Sequence, residues 1–270
     1  MTASLKGKIA IVTGSTQGLG AAVATLFAER GAGGIVICGR NAERDRAKAE
    51  AIRSATGCRA EFVQADLSQV ADCGKVIAAV DRAFGRVDVL VNAAGNTDRG
   101  TILDTSPETF DALFAVNTRA PFFLIQGAVK VMRREGTHGA IVNISSMSAM
   151  GGQPFIAAYC ASKGALDTLT RNVAYGLLRN RIRVNGLNIG WMASDGEDRI
   201  QREYHGADPN WLEAAAAKQP NGRLLDPMEV ARAVAFLSTD ESGMMTGATI
   251  NFDQAVWGAY DDTPHPDAPL

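Results

Sequence analysis

The sequence predicts an α/β fold built on a doubly wound parallel sheet. Three observations carry that expectation: short β-branched runs recur along the chain, segments of helical spacing separate the first four of them, and the runs are apolar nearly throughout. Alternation of strand and helix favours a parallel sheet, and strands without polar alternation are those covered on both faces. The runs are IAIVT from Ile9, GIVIC from Gly34, AEFVQA from Ala60, VDVLVN from Val87, AIVNIS from Ala140, IRVNGLN from Ile182 and ATINF from Ala248. Ala21 to Arg30, Ala42 to Ala55 and Ser68 to Phe84 are each long enough to cross over the sheet.

No repeat or low-complexity linker divides the 270 residues, and residues 1–260 are expected to form a single domain with a sizeable core. Residues 191–222, which carry many charges together with Trp191, Tyr204 and Trp211, are long for a plain connection and read as a helical lid insertion. Residues 261–270, DDTPHPDAPL, read as a Pro/Asp-rich tail, disordered or draped.

A formal charge of −2, with both signs spread along the chain, argues against a nucleic-acid partner or an anionic membrane surface. The start has no apolar leader core, and no uninterrupted apolar run is long enough to span a bilayer, so a soluble cytoplasmic protein is expected. Cys38, Cys58, Cys73 and Cys160 are widely spaced with no CxxC pair, which suggests reduced thiols. His138, His205 and His265 are scattered, and no metal site is expected.

TGSTQGLG, residues 13–20, sits where the first strand hands over to a helix. Glycine reaches positive φ and lets a backbone approach a ligand, while the first helical turn offers unpaired N–H groups and the positive end of a dipole. Gly14, Ser15, Gln17, Gly18, Leu19 and Gly20 are therefore candidates to hold an anion such as a pyrophosphate. The spacing is GxxxGxG rather than the commoner GxGxxG, and a tight turn without a ligand is the alternative.

This variant resembles the short-chain dehydrogenase/reductase family, and further motifs stand in the family's order over roughly residues 6–254. NAAG supplies Asn92, Ala93 and Gly95, ADLS supplies Asp66 and Leu67, AVNTRAPF supplies Asn117, NISSMSA supplies Ser146, and YCASKGAL supplies Tyr159 and Lys163, with Ser146 and Tyr159 thirteen apart. The resemblance implies a Rossmann fold, a catalytic tetrad Asn117, Ser146, Tyr159 and Lys163, and a nicotinamide cofactor bordered by the NAAG turn and Asp66. It also implies a homotetramer or dimer built through the helix bearing Tyr159 and its successor.

Tyr159 and Lys163 lie four apart in a segment of helical pattern, so they share a face. An ammonium nearby would favour the phenolate, letting Tyr159 take a proton from an alcohol or return it to a ketone. Ser146 would donate to the substrate oxygen. By resemblance, Lys163 also binds the nicotinamide ribose, and Asn117 anchors a water in a proton relay.

In NAD-preferring members a carboxylate follows the second strand. Here Gly39 holds that place and Arg40 follows, which favours NADP, since a guanidinium pairs bidentately with phosphate. Gln17 stands where many NADP-preferring relatives keep a second basic residue, and Arg40 stacked on the adenine would leave NAD usable. The family's Pro-Gly after the sixth strand appears as Ile189-Gly190, with Ser194 at the usual threonine, so Gly190 and Ser194 are expected to flank the cofactor without proline's rigidity. The usual DGG near the C-terminus appears as Asp253-Gln254, which suggests an unusual pocket.

Asn96, Thr97, Arg99, Ser148 and Gln153 follow the NAAG and ISS motifs, and the lid adds Trp191, Arg199, Gln201, Arg202, Tyr204 and His205. Ser148, Gln153, Trp191 and Arg199 are the candidate substrate contacts. A mostly polar lining suits a sugar, polyol or sugar acid, and an arginine could clamp an anionic group, although the lid carboxylates could instead pair with Arg199 and Arg202. The alternatives are a reductase of 3-oxoacyl or other apolar ketones and a non-catalytic cofactor sensor. Sensors typically lose the Tyr or the Lys, and this chain keeps both.

Overall fold

The central strands are apolar because they feed two cores. Along the first strand, β1 (Ile9–Val12), Ala10 and Val12 point into one cluster and Ile9 and Ile11 into the other; Ile35 and Ile37 alternate with Val36 and Cys38 in β2 (Gly34–Gly39) in the same way. The computed structural model describes residues 3–256, so the tail expected at 261–270 lies outside the described residues. The remaining strands are β3 (Ala60–Gln64), β4 (Val89–Asn92), β5 (Ala140–Ser146), β6 (Arg183–Ile189) and β7 (Thr249–Phe252), paired in parallel in the order β3-β2-β1-β4-β5-β6-β7.

Helices α1 (Gly18–Glu29), α2 (Ala42–Thr56) and α9 (Pro227–Leu237) cover one face through Val23, Phe27, Ile52, Val230 and Val234. On the other face, α3 (Val70–Phe84), α5 (Ala120–Arg134) and α6 (Ala157–Leu177) contribute Val76, Val80, Leu124, Met132 and Ala174. Between α4 (Pro107–Phe114) and α5 the chain makes a π-helical turn, Ala115–Arg119, so Pro107–Arg134 is continuously helical. That stretch is long and apolar enough in composition to cross a bilayer, yet Leu124, Ile125, Ala128, Val131 and Met132 bury its face in the core. The lid region forms α7 (Asp195–His205) and α8 (Trp211–Ala217), which close over a small cluster of their own around Trp211, Ala215 and Leu224.

The sheet order reverses between β1 and β4, and ligands of such sheets bind beyond the carboxyl ends of the strands at that point. The glycine loop, the NAAG turn and the end of β5 all lie there.

Candidate active site

The glycine loop fits a dinucleotide. Helix α1 starts at Gly18, earlier than the apolar pattern suggests; its N-cap Gln17 makes no side-chain cap bond, and its first turn carries no acidic residue, leaving the positive end open to an anion. Gly14 has φ +60°, and a Cβ there would lie 2.8 Å from the Ala94 backbone; a Cβ on Gly20 would lie 2.3 Å from the Gly14 carbonyl oxygen. Thr13, which the sequence did not flag, joins loop to turn: its Oγ1 accepts from the N–H groups of Ala93 (3.0 Å) and Ala94 (3.1 Å).

Several expected cofactor residues play structural parts. Ser15 is fully buried, donating to the Val12 carbonyl (2.7 Å) and accepting from the Cys38 N–H (3.0 Å), so its hydroxyl ties β1 to β2 and does not face the cleft. Asn92, 2% exposed, donates to Asn143 Oδ1 at 2.8 Å, leaving its own Oδ1 buried without a partner. Asp66 accepts from the Ser68 N–H (3.0 Å), and Leu19 and Leu67 are buried. Arg40 is exposed at the end of β2.

Ser194 caps α7, accepting from the Glu197 N–H at 3.2 Å, while its Cβ lies 3.7 Å from where a Gly18 Cβ would stand. The lid therefore starts against the glycine loop. A Cβ on Gly190 would fall 1.8 Å from Asp253 Oδ1, so the retained glycine makes room for the retained aspartate of the altered DGG.

Three of the four tetrad residues come from elements that meet at the end of β5. Ser146 ends that strand, and its Oγ accepts from the Ser148 N–H (3.1 Å), starting a short 3-10 turn, Met147–Met150; its hydroxyl is near enough to Tyr159 to favour the phenolate. Tyr159 and Lys163 project from one face of α6, with Lys163 Nζ 5.7 Å from the Tyr159 ring centre and donating to the Ile144 carbonyl (2.9 Å). Burial pushes Tyr159 up to about 12, outweighing the Ser146 hydroxyl and the Arg99 charge, which favour the phenolate. The same desolvation takes Lys163 down to about 8, opposed by the Asp167 charge. The sequence suggested that the lysine would lower the tyrosine; here burial dominates both groups, and Arg99 is the cation that acts on Tyr159.

Asn117 sits inside the π turn, fully buried. Its Oδ1 accepts from the Asn96 N–H (2.8 Å), and its Nδ2 donates to the Asn96 carbonyl (2.9 Å) and Ser162 Oγ (3.0 Å). With three bonds on the amide, the side chain fixes the loop after NAAG. A Cβ on Gly95 would lie 3.6 Å from Asn117 Oδ1 and 3.8 Å from Lys163 Nζ, so this glycine keeps the floor between them open.

The mouth of the site is polar and braced by the lid. Ser148 and Gln153 are hydrogen-bonded to each other, and Arg99 donates to the Thr97 carbonyl, leans on the Phe155 ring (5.9 Å) and leaves its Nε buried without a partner. Tyr204 of α7 donates to Asp98 Oδ1 at 3.3 Å, and His205 stands edge-on to Phe155. Trp191 donates to Glu197 Oε1 (2.8 Å) and stacks on Trp211; Arg202 pairs with Asp198, while Arg199 is exposed. A cavity of about 570 Å³ lies elsewhere, beside Phe114, Arg119 and Phe122, and includes none of the tetrad.

A glycine loop at the switch point of a parallel sheet, with a serine, tyrosine and lysine facing it, defines an NAD(P)-dependent oxidoreductase acting on CH–OH groups of small molecules. The chain belongs to the short-chain dehydrogenase/reductase family: residues 14–255 match the family model described as Enoyl-(Acyl carrier protein) reductase. It is 32% identical to galactitol 2-dehydrogenase of Agrobacterium fabrum, over 94% of this chain and 98% of that one. It is 34% identical to the NADP-dependent (R)-specific alcohol dehydrogenase of Lentilactobacillus kefiri, with the same coverage of each chain. Among solved structures it resembles the L-sorbose reductase of Gluconobacter frateurii, complexed with NADPH and L-sorbose, at 27% identity and a TM-score of 0.88, covering 96% of this chain and all of that one.

Proposed function

We propose that this enzyme interconverts a secondary alcohol and a ketone, or a lactol and a lactone, on a polar sugar, polyol or sugar acid, with NADP favoured and NAD usable. The observation that carries the reading is the Ser146–Tyr159 hydroxyl pair set beside Lys163 at the open end of the sheet. The relatives named for galactitol and L-sorbose support a polyhydroxylated substrate, as does the polar mouth formed by Asn96, Arg99, Ser148 and Gln153.

A bound nicotinamide supplies or accepts the hydride. Ser146 Oγ holds the substrate oxygen beside Tyr159, which gives or takes the proton at that oxygen. Lys163 orients the nicotinamide ribose, and Asn117 positions the loop lining the substrate. With Tyr159 at about 12 and Lys163 at about 8, both groups carry their protons at neutral pH, an arrangement set to donate to a ketone. The reading places residues 1–260 in one domain, in a reducing cytoplasmic setting consistent with four free cysteines, and in a homo-oligomer, for which Phe122, Tyr175 and Leu178 supply exposed apolar surface.

The test is nicotinamide absorbance over a panel of ketoses, polyols, sugar acids, simple ketones and 3-oxoacyl thioesters with each cofactor. Turnover concentrated on hydroxylated substrates is expected. Turnover confined to apolar ketones or thioesters would refute the substrate class.

A further inference from the structure

Gln17 leaves the glycine loop without the second basic residue common among NADP-preferring relatives, but the loop is not without a second cation. Arg44, in the first turn of α2, reaches across: its Nη1 donates to Gln17 Oε1 and its Nη2 to Thr16 Oγ1, each at 3.3 Å. Its Nε donates to Asp45 Oδ1 at 3.2 Å. The side chain is thus gripped by the edge of the guanidinium that a phosphate does not need, and the two terminal nitrogens lie along the lip of the loop. They hold only neutral oxygens there, at the long end of hydrogen-bond range, and the side chain remains half exposed.

Asp45 explains why the cation is held. It is fully buried, and its second oxygen accepts from the Asn41 N–H at 3.1 Å, so neither oxygen is free for ribose hydroxyls. Its Oδ2 lies 2.1 Å from where a Cβ on Gly39 would stand. A carboxylate from α2 therefore fills the start of the space into which a side chain at position 39, the family's NAD-selecting place, would project. Gly39 is required by this packing, Asp45 anchors Arg44, and Arg40 follows at the end of the same strand.

Resting on the reading of NADP as the favoured cofactor, we infer that Arg44 is the second cation for the 2′-phosphate, supplied by helix α2 in place of the glycine loop. Arg40 and Arg44 together recognise the phosphate from two elements, and Asp45 is a positioning residue. A phosphate would take the terminal nitrogens from Thr16 and Gln17, because a charged acceptor outcompetes a hydroxyl and an amide.

The experiment is calorimetric titration of the whole protein with NADP⁺ and NAD⁺, without substrate, for the wild type, Arg44→Gln, Arg44→Lys and Asp45→Asn. Arg44→Gln should weaken NADP⁺ binding about tenfold and leave NAD⁺ within about twofold, and Arg44→Lys should recover part of the loss. Asp45→Asn should reduce the preference for NADP⁺ less than Arg44→Gln does. Equal weakening of both cofactors in Arg44→Gln would assign Arg44 a purely structural part and overturn the inference. Unchanged NADP⁺ affinity would overturn it while leaving the cofactor reading intact. A wild type that binds NAD⁺ more tightly than NADP⁺ would overturn both.

Discussion

Replacing Lys163 by Met should make the protein more stable while silencing it. Lys163 is 4% exposed, and burial takes its ammonium from 10.5 down to about 8. One unit is about 1.4 kcal/mol, so keeping the charge in the folded state at pH 7 costs about 3 kcal/mol. Methionine keeps most of the stem volume and forfeits the charge-assisted bond to the Ile144 carbonyl, worth about 2 kcal/mol. The net gain is about 1 kcal/mol, which for a chain of this length raises the melting temperature by about 2 °C. The sign follows from the lowered pKa. Below about 8 the lysine is charged in both folded and unfolded chains, and the full cost is present. Between about 8 and 10.5 the folded chain sheds the proton first, so wild-type stability rises with pH and the advantage of the variant shrinks. By about pH 9.5 the cost has fallen to about 1 kcal/mol and the two proteins should melt nearly together. Thermal unfolding followed by circular dichroism at the two pH values is the assay. A variant less stable at neutral pH, or a gap independent of pH, would refute the argument that the buried charge is a net cost carried for function.

Tyr159→Phe should leave NADP(H) affinity unchanged and reduce turnover by about 10²–10⁴-fold, measured by nucleotide titration beside steady-state rates; retained turnover would remove Tyr159 from the acid–base role. Ser146→Ala should lower kcat by about 10²–10³-fold, and a change confined to KM would recast Ser146 as a binding group. Gly190→Ala places a methyl group against Asp253, 1.8 Å from its Oδ1, and should cost about 1–3 kcal/mol by thermal melting and weaken cofactor binding. An unshifted melting temperature would show that Asp253 moves freely.

The sheet was legible because its signal is local. Each β-branched run became a strand within about two residues, and the first three crossovers fell where apolar spacing placed them. The elements bearing Ser146, Tyr159 and Lys163 were equally readable, since a strand end and a four-residue helical interval fix their relative positions. What was hidden depended on contacts between distant segments. The π turn around Asn117 has no local signature, and it serves bonds to Asn96 and Ser162 far along the chain. Ser15 faces inward because Cys38, on the neighbouring strand, needs its oxygen. Arg44 looked like any charged residue in a first helical turn until the packing of Asp45 against Gly39 brought it to the glycine loop. The proton affinity of Tyr159 likewise depends on how closely it is surrounded, which residue order does not convey.

The π turn also constrains how this chain can vary in length. One extra residue is accommodated between Ala115 and Arg119, where the Ala120 N–H bonds to the Ala115 carbonyl five residues back. Deleting a single residue there would restore a regular helix at little backbone cost, yet it would swing everything on one side of the deletion by about 100° relative to the other. Either Asn117 would lose its hold on Asn96, or Leu124 and Met132 would turn out of the core. Loops elsewhere on the molecule can gain or lose residues, but the interval from the end of α4 to the start of α5 has a fixed count, set by one asparagine on one side and the sheet on the other.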